Sequence, residues 1–189
     1  MPLFPVGEPI SEYYTRPQWF VGRVSPLHER RVADILRQMD VEYFLPVQIE
    51  RRRWSDRIKK VEVVLTPGYI FVRCMQSRLR HLLSDIPDLK SFLYNRQAKR
   101  SETIPEKQME LFRLMVEYDD RAITVDSRQF SAGDHVRVIF GPLAGQECDL
   151  VEINGTHCIA VNLGLLGSAR IEMPLKQVEK MSRPVKAGK

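Results

Sequence analysis

The residue types that usually carry catalysis are spread thinly along this sequence. His28, His81, His135 and His157 lie far apart, and Cys74, Cys148 and Cys158 are an odd, scattered set. A zinc or redox site wants ligands a few residues apart, and neither Cys-x-x-Cys nor His-Glu-x-x-His occurs. A phosphate-cradling Gly-Lys-Ser/Thr loop and a Gly-x-Ser-x-Gly elbow are also missing. The cysteines read as small core hydrophobes and the histidines as surface or packing residues. No catalytic residue, metal site or cofactor is expected, and a binding module is favoured over an enzyme.

The chemistry that is concentrated is electrostatic. The chain carries a net charge of +5, and residues 50–60, ERRRWSDRIKK, alone hold +4 through Arg51, Arg52, Arg53, Arg57, Lys59 and Lys60. Residues 128–181 sum to −1. Such a localised block suggests a footprint for a polyanion, with a solvated charged hairpin as the alternative. Guanidinium forks suit phosphate oxygens. Trp54, inside the run, either stacks on an unpaired base or packs the hairpin, and packing is preferred.

A second concentration is apolar. LTPGYIFV (65–72) runs from a Pro-Gly breaker into a strand without polar residues. Tyr69 and Phe71 point to one side, Ile70 and Val72 to the other. Ile70 and Val72 are expected to face the chain's own helices. The aromatic side is expected to lack internal cover and to await a partner.

These residues are positioned by an alternating set of elements. QWFVGRV (18–24) reads as a first strand. Ser25-Pro26 reads as a helix start, with Val32, Ile35, Leu36 and Met39 as the buried stripe. Strands are expected at 41–49 and 59–65, with the basic run as the tip between them. Ser77 is a candidate cap for a short helix bearing Leu79, Leu82 and Leu83. A strand at 89–94 and a helix from Pro105 to Glu117, with Met109, Phe112, Met115 and Val116 inward, complete an α+β unit: an antiparallel sheet with packed helices. Polar 118–130 reads as a connection. Short strands at 135–140, 148–153, 157–163, 169–173 and 175–180, punctuated by turns such as Asn154-Gly155, then suggest a small SH3-like β-barrel. Val136, Val138, Ile153, Ile159, Val161 and Ile171 with five glycines argue against a helical C-terminal unit.

No run approaches the roughly 18 apolar residues of a membrane span, so no membrane role is expected. Residues 1–17, with four prolines, read as a flexible leader and not a secretory signal. The cysteine pattern points to a reducing cytoplasm. A monomer is expected.

Several stretches taken in order resemble the NusG family of transcription elongation factors. They are Trp19-Phe20-Val21, His28-Glu29-Arg30-Arg31, Phe44-Leu45-Pro46, Pro67-Gly68-Tyr69-Ile70-Phe71-Val72, Ile86-Pro87-Asp88-Leu89, and, in the second half, Phe130 to Val138 followed by Gly141-Pro142-Leu143-Ala144-Gly145. The resemblance implies an N-terminal NGN domain at 18–118, a linker at 119–129, a C-terminal KOW barrel at 130–181 and a basic tail at 182–189. It implies that the NGN domain binds RNA polymerase at the clamp's helical hairpin, through an apolar site of Trp19, Phe44, Tyr69 and Phe71. Of these, Trp19 also matches a framework core position, while Tyr69 and Phe71 are favoured as interface.

The resemblance further implies nucleic-acid contact, to non-template DNA or nascent RNA, by His28, Arg30 and Arg31 together with the basic hairpin. Non-specific phosphate contact is expected rather than base readout. The KOW barrel is implied to recruit a small-subunit ribosomal protein or the termination factor Rho through Leu165 and Leu166. Two departures qualify this. The family's second KOW glycine falls at Cys148, where a positive φ would be disfavoured. The loop that carries an Ile-Phe pair in the general factor reads Leu165-Leu166 here, which counts against Rho. The segment RRRWSDRIKKVEVVLTPGYIFV looks closest to specialised UpxY-like and RfaH-like paralogues. The expected function is therefore operon-specific antitermination. The alternatives are a general factor acting with Rho, or an RNA-binding, ribosome-associated KOW protein.

Overall fold

The computed structural model describes residues 15–53, 57–118, 123–126 and 133–181, with backbone alone at 51, 52, 118 and 126. Most of the expected leader, Trp54 and the basic tail lie outside the described residues.

The first unit is built around β1 (Gln18–Val24). It pairs antiparallel with β5 (Tyr69–Cys74) on one side and with β6 (Leu89–Phe92) and β9 (Thr103–Ile104) on the other, and β2 (Glu42–Phe44) extends the sheet beyond β5. Alternation along the strands sorts the apolar residues into two layers. Phe20, Val24, Ile70 and Val72 meet α1 (Glu29–Gln38) through Val32, Ala33 and Leu36, and α2 (Leu79–Asp85) through Leu79 and Leu82. Trp19, Val21 and Phe71 meet α3 (Glu106–Tyr118) through Met109, Phe112 and Met115. The sheet is thus buried on both faces, which is why β5 has no polar alternation. Each fully buried aromatic contributes about 1.5–3 kcal/mol through burial alone.

Three local expectations are corrected. Helix α1 does not start at Ser25-Pro26: Leu27 adopts φ +64, so Pro26-Leu27 form a turn and the helix begins at Glu29. The second strand is broken at Leu45-Pro46, since proline offers no ladder donor. It becomes β2 and β3 (Val47–Arg53), and β3 pairs with β4 (Ile58–Val64) as a separate ribbon. Ser77 does not cap α2; it lies within the single 3-10 turn Gln76–Arg78 that precedes the helix. Short strands β7 (Tyr94–Asn95) and β8 (Arg100–Ser101) form a minor hairpin.

The second unit is an antiparallel sheet curled around Val136, Val138, Leu143, Ile159, Val161, Leu163, Ala169 and Ile171. Its strands are β11 (Asp134–Val138), β12 (Glu147–Ile153), β13 (Thr156–Asn162), β14 (Ser168–Glu172) and β15 (Val178–Lys180). Asn154 and Gly155 have φ +52 and +78, the two left-handed positions of a tight hairpin turn. Cys148 sits in strand β12 opposite Val136, and the left-handed positions of the preceding turn are Gly141 and Gly145, so no positive φ is asked of the cysteine. Residues 175–177 form a 3-10 turn in place of the start of the last expected strand. One strand stands where a connection is expected: β10 (Ile123–Asp126) pairs antiparallel with β14 as a sixth strand.

Candidate nucleic-acid and protein interfaces

The β3–β4 ribbon keeps its register from Val47 opposite Val64 to Arg53 opposite Ile58. Arg51 stands opposite Lys60 and Arg52 opposite Lys59. Like charges directly across a ladder destabilise it by about 0.2–1 kcal/mol per pair. Two adjacent rungs of this kind make sense where a polyanion supplies the counter-charge. Successive rungs face opposite sides, so Lys59 and Lys60 lie on opposite faces of the ribbon; both are exposed, as are Arg53 and Arg57. Ile49 and Ile58 are exposed among them.

The ribbon is joined to the other basic candidates by one ion pair, Arg30 Nη2 to Glu62 Oε2 at 2.7 Å. Helix α1 and the ribbon therefore present one surface. His28 and Arg31 are tethered at its margin by Asp88: His28 Nδ1 lies 2.7 Å from Asp88 Oδ1, and Arg31 Nε lies 3.5 Å from Oδ2. The His28 hydrogen bond, with the charges of His28, Arg31 and Lys90 behind it, holds the Asp88 carboxyl below the ordinary carboxylate range. Of the nine candidate cations and histidine, the structure thus joins His28, Arg30, Arg31, Arg53, Arg57, Lys59 and Lys60 on one side of the unit. Of Arg51 and Arg52 it describes the ladder positions.

The aromatic candidates are differently placed. Trp19 and Phe71 are wholly buried and Phe44 nearly so. Phe44, Phe71 and Phe112 form a triad with centroids 5.6–6.3 Å apart, the two Phe112 contacts being edge-on. Trp19 Nε1–H donates to Glu106 Oε1 at 3.2 Å, in the first turn of α3. Arg73 bridges Glu42 at 3.0 Å and Glu106 at 3.2 Å, and Arg113 lies over the Phe44 ring at 5.7 Å. The expectation that this side lacks internal cover is corrected: helix α3 covers it. Tyr69 alone among the four candidates is half-exposed, in company with Leu65 and Leu93.

The barrel continues this packing. A single apolar cluster runs from Phe71 and Phe112 to Val161 and Leu163, and Leu111, outside the expected stripe, is buried in it. Gln108 Oε1 on α3 accepts the Asn162 amide at 2.9 Å. The β13–β14 loop abuts the first unit at Glu102: a Cβ at Gly164 would lie 2.6 Å from Glu102 Oε1, and Gly164 has φ +64. In that loop Leu165 is about half exposed, while Leu166 packs against the shared cluster.

Sequence reasoning also missed Glu29. It is buried, and its Oε1 accepts the Gly68 amide at 2.6 Å, so the first turn of α1 fixes the turn that launches β5. Its place beside His28 in a run of charges gave no hint of burial.

Among the described residues, no group of three or more histidines, cysteines or acids is placed to hold a metal, and no helix is long and apolar enough to cross a membrane. A helix-backed antiparallel sheet, a cationic ribbon and a small barrel define a two-unit binding protein. The family model for NusG, described as transcription termination factor, matches residues 17–113, just over half of the chain. This chain belongs to the NusG family. A transcription termination/antitermination protein NusG from Lactococcus lactis is 25% identical over 172 residues, covering 85% of this chain and 91% of that protein. One from Helicobacter pylori is 25% identical over 130 residues, covering 67% of this chain and 72% of that protein. The solved structure titled "Domain interaction in Thermotoga maritima NusG" is 17% identical, covers 89% of this chain and 99% of that one, and has a TM-score of 0.43.

Proposed function

We propose that this protein is a cytoplasmic, monomeric transcription termination/antitermination factor that works by bridging. Its NGN unit binds RNA polymerase at the clamp's helical hairpin, on the side of the sheet marked by Trp19, Phe44, Tyr69 and Phe71. Tyr69 makes the direct contact, and the buried three hold its strand. A half-exposed tyrosine suits an interface that is apolar on one side and wet on the other. The α1–ribbon surface grips nucleic acid through phosphates, and the barrel loop of Leu165 and Leu166 recruits a second protein. The single observation that carries this reading is the family match over residues 17–113. The cationic ribbon, set before the Pro-Gly-Tyr strand, favours a specialised, operon-specific antiterminator. The Leu-Leu loop favours a small-subunit ribosomal protein over Rho as the barrel's partner.

The experiment is a single-round transcription assay on a template with a terminator, read as the fraction of full-length transcript with and without the protein. Increased read-through supports antitermination, and unchanged pausing and termination on every template tried argues against the whole reading. A second reading, an RNA-binding KOW protein acting away from polymerase, draws on the exposed cations of the ribbon. It requires tight RNA binding with polymerase absent.

A further inference from the structure

We propose that strand β10 (Ile123–Asp126), in the connection between the two units, is a latch that holds the barrel closed over helix α3. Two independent attachments meet in these four residues. On one side β10 completes the barrel sheet: Ile123 stands opposite Ile171, Thr124 opposite Arg170, Val125 opposite Ala169 and Asp126 opposite Ser168. On the other, the Ile123 amide donates to Gln48 Oε1 of β3, in the first unit, at 3.2 Å. Ile123 is buried within the apolar cluster that both units share, and Val125 packs against it.

A connecting segment seated in this way shortens the free tether between the units. A shorter tether raises the effective concentration of the barrel at α3, because closing a short loop costs less entropy than closing a long one. The remaining closure contacts are few: the Gln108–Asn162 bond, the Gly164–Glu102 approach, and Leu111 and Leu166 in the shared cluster. With β10 seated, Leu166 is half-buried and α3 is covered. With β10 released, the barrel is free to leave α3, and the Leu165–Leu166 loop becomes accessible along its length. The latch thus regulates access to the barrel loop and to the neighbouring Tyr69 side, and in that respect it rests on the reading given under Proposed function.

The test is small-angle scattering on the full chain, with hydrogen exchange read at the β14 and α3 amides. The wild type is expected to be compact, with the radius of gyration of a single body of this length, about 16 Å before the termini are added. Ile123→Asp places a charge in the shared cluster. It should increase the radius of gyration and speed exchange along β14, while the β11–β12–β13 and β1–β5 amides stay protected. Gln48→Leu, which removes only the acceptor, should open the chain to a smaller degree and guards against misfolding of the first variant. An extended wild type, or two variants as compact as the wild type, overturns the latch. Open variants that capture core polymerase no better than the wild type leave the latch standing and count against Tyr69 as the polymerase contact.

Discussion

Glu29 and Gly68 are 39 positions apart in the chain, yet the Glu29 carboxylate receives the Gly68 amide at 2.6 Å. This bond ties the start of α1, which leads into the basic surface, to the turn from which Tyr69 departs. Nucleic-acid and protein candidates are therefore held in one rigid frame. Gly68, at φ +80, supplies the left-handed turn that aims its amide at the carboxylate.

Removing that acceptor strands a buried amide. Glu29→Ala should cost about 1–3 kcal/mol in denaturant unfolding, and Glu29→Gln, which retains a carbonyl oxygen, distinctly less. Equal stability of Glu29→Ala and wild type would show that the turn does not depend on this bond.

The aromatic side divides into core and interface. Phe71→Ala and Phe112→Ala each empty a fully buried ring site and should cost about 3–5 kcal/mol. Tyr69→Ala removes a half-exposed ring and should cost clearly less. Thermal melts of the three variants check this, and a Tyr69→Ala loss as large as Phe71→Ala would place Tyr69 in the core.

The ribbon's charges should matter for binding and not for folding. Lys59→Ala and Lys60→Ala should change stability by within about 0.5 kcal/mol. For duplex DNA, each should reduce the slope of log affinity against log salt by about 0.9 for every phosphate the removed ammonium neutralises. Fluorescence anisotropy over a salt series measures the slope; unchanged slopes would return the ribbon to a merely solvated role.

The thiols should be silent at neutral pH. Burial pushes Cys148 up to about 12 and Cys74 to about 11, from an ordinary 9, and raises Cys158 too. Both protonation states agree in folded and unfolded chains below pH 9. Above it the unfolded thiols ionise and the folded ones do not, so stability falls as pH rises from about 9 towards 12. Native protein at pH 8 should resist iodoacetamide at all three positions and react fully in denaturant. Rapid native labelling at Cys74 or Cys148 would contradict their burial.

Much of this fold was legible where local chemistry is decisive. Asn154-Gly155 announced its turn, Pro67-Gly68 the start of β5, and Ile70 and Val72 the face that meets α1 and α2. What was not legible depends on distant partners. Nothing local to Phe71 tells that α3, some forty residues later, returns to cover it. Four residues of β10 within a polar connection have no periodicity to detect, and their pairing with β14 exists only in the folded chain. Helix α1 begins late because Leu27 takes a left-handed conformation that a Ser-Pro start does not foretell. The basic candidates were visible as a run, but their union with α1 rests on the Arg30–Glu62 pair, which joins residues 32 positions apart.

The most direct measurement of the central claim is the affinity of this chain for core RNA polymerase, wild type against Tyr69→Ala, with folding of the variant confirmed by its melt. The account predicts binding by the wild type and a loss of about tenfold or more, worth about 1.4 kcal/mol or more, on removal of the ring. Equal affinities for the two proteins, or no binding by either the wild type or the opened Ile123→Asp chain, would contradict it.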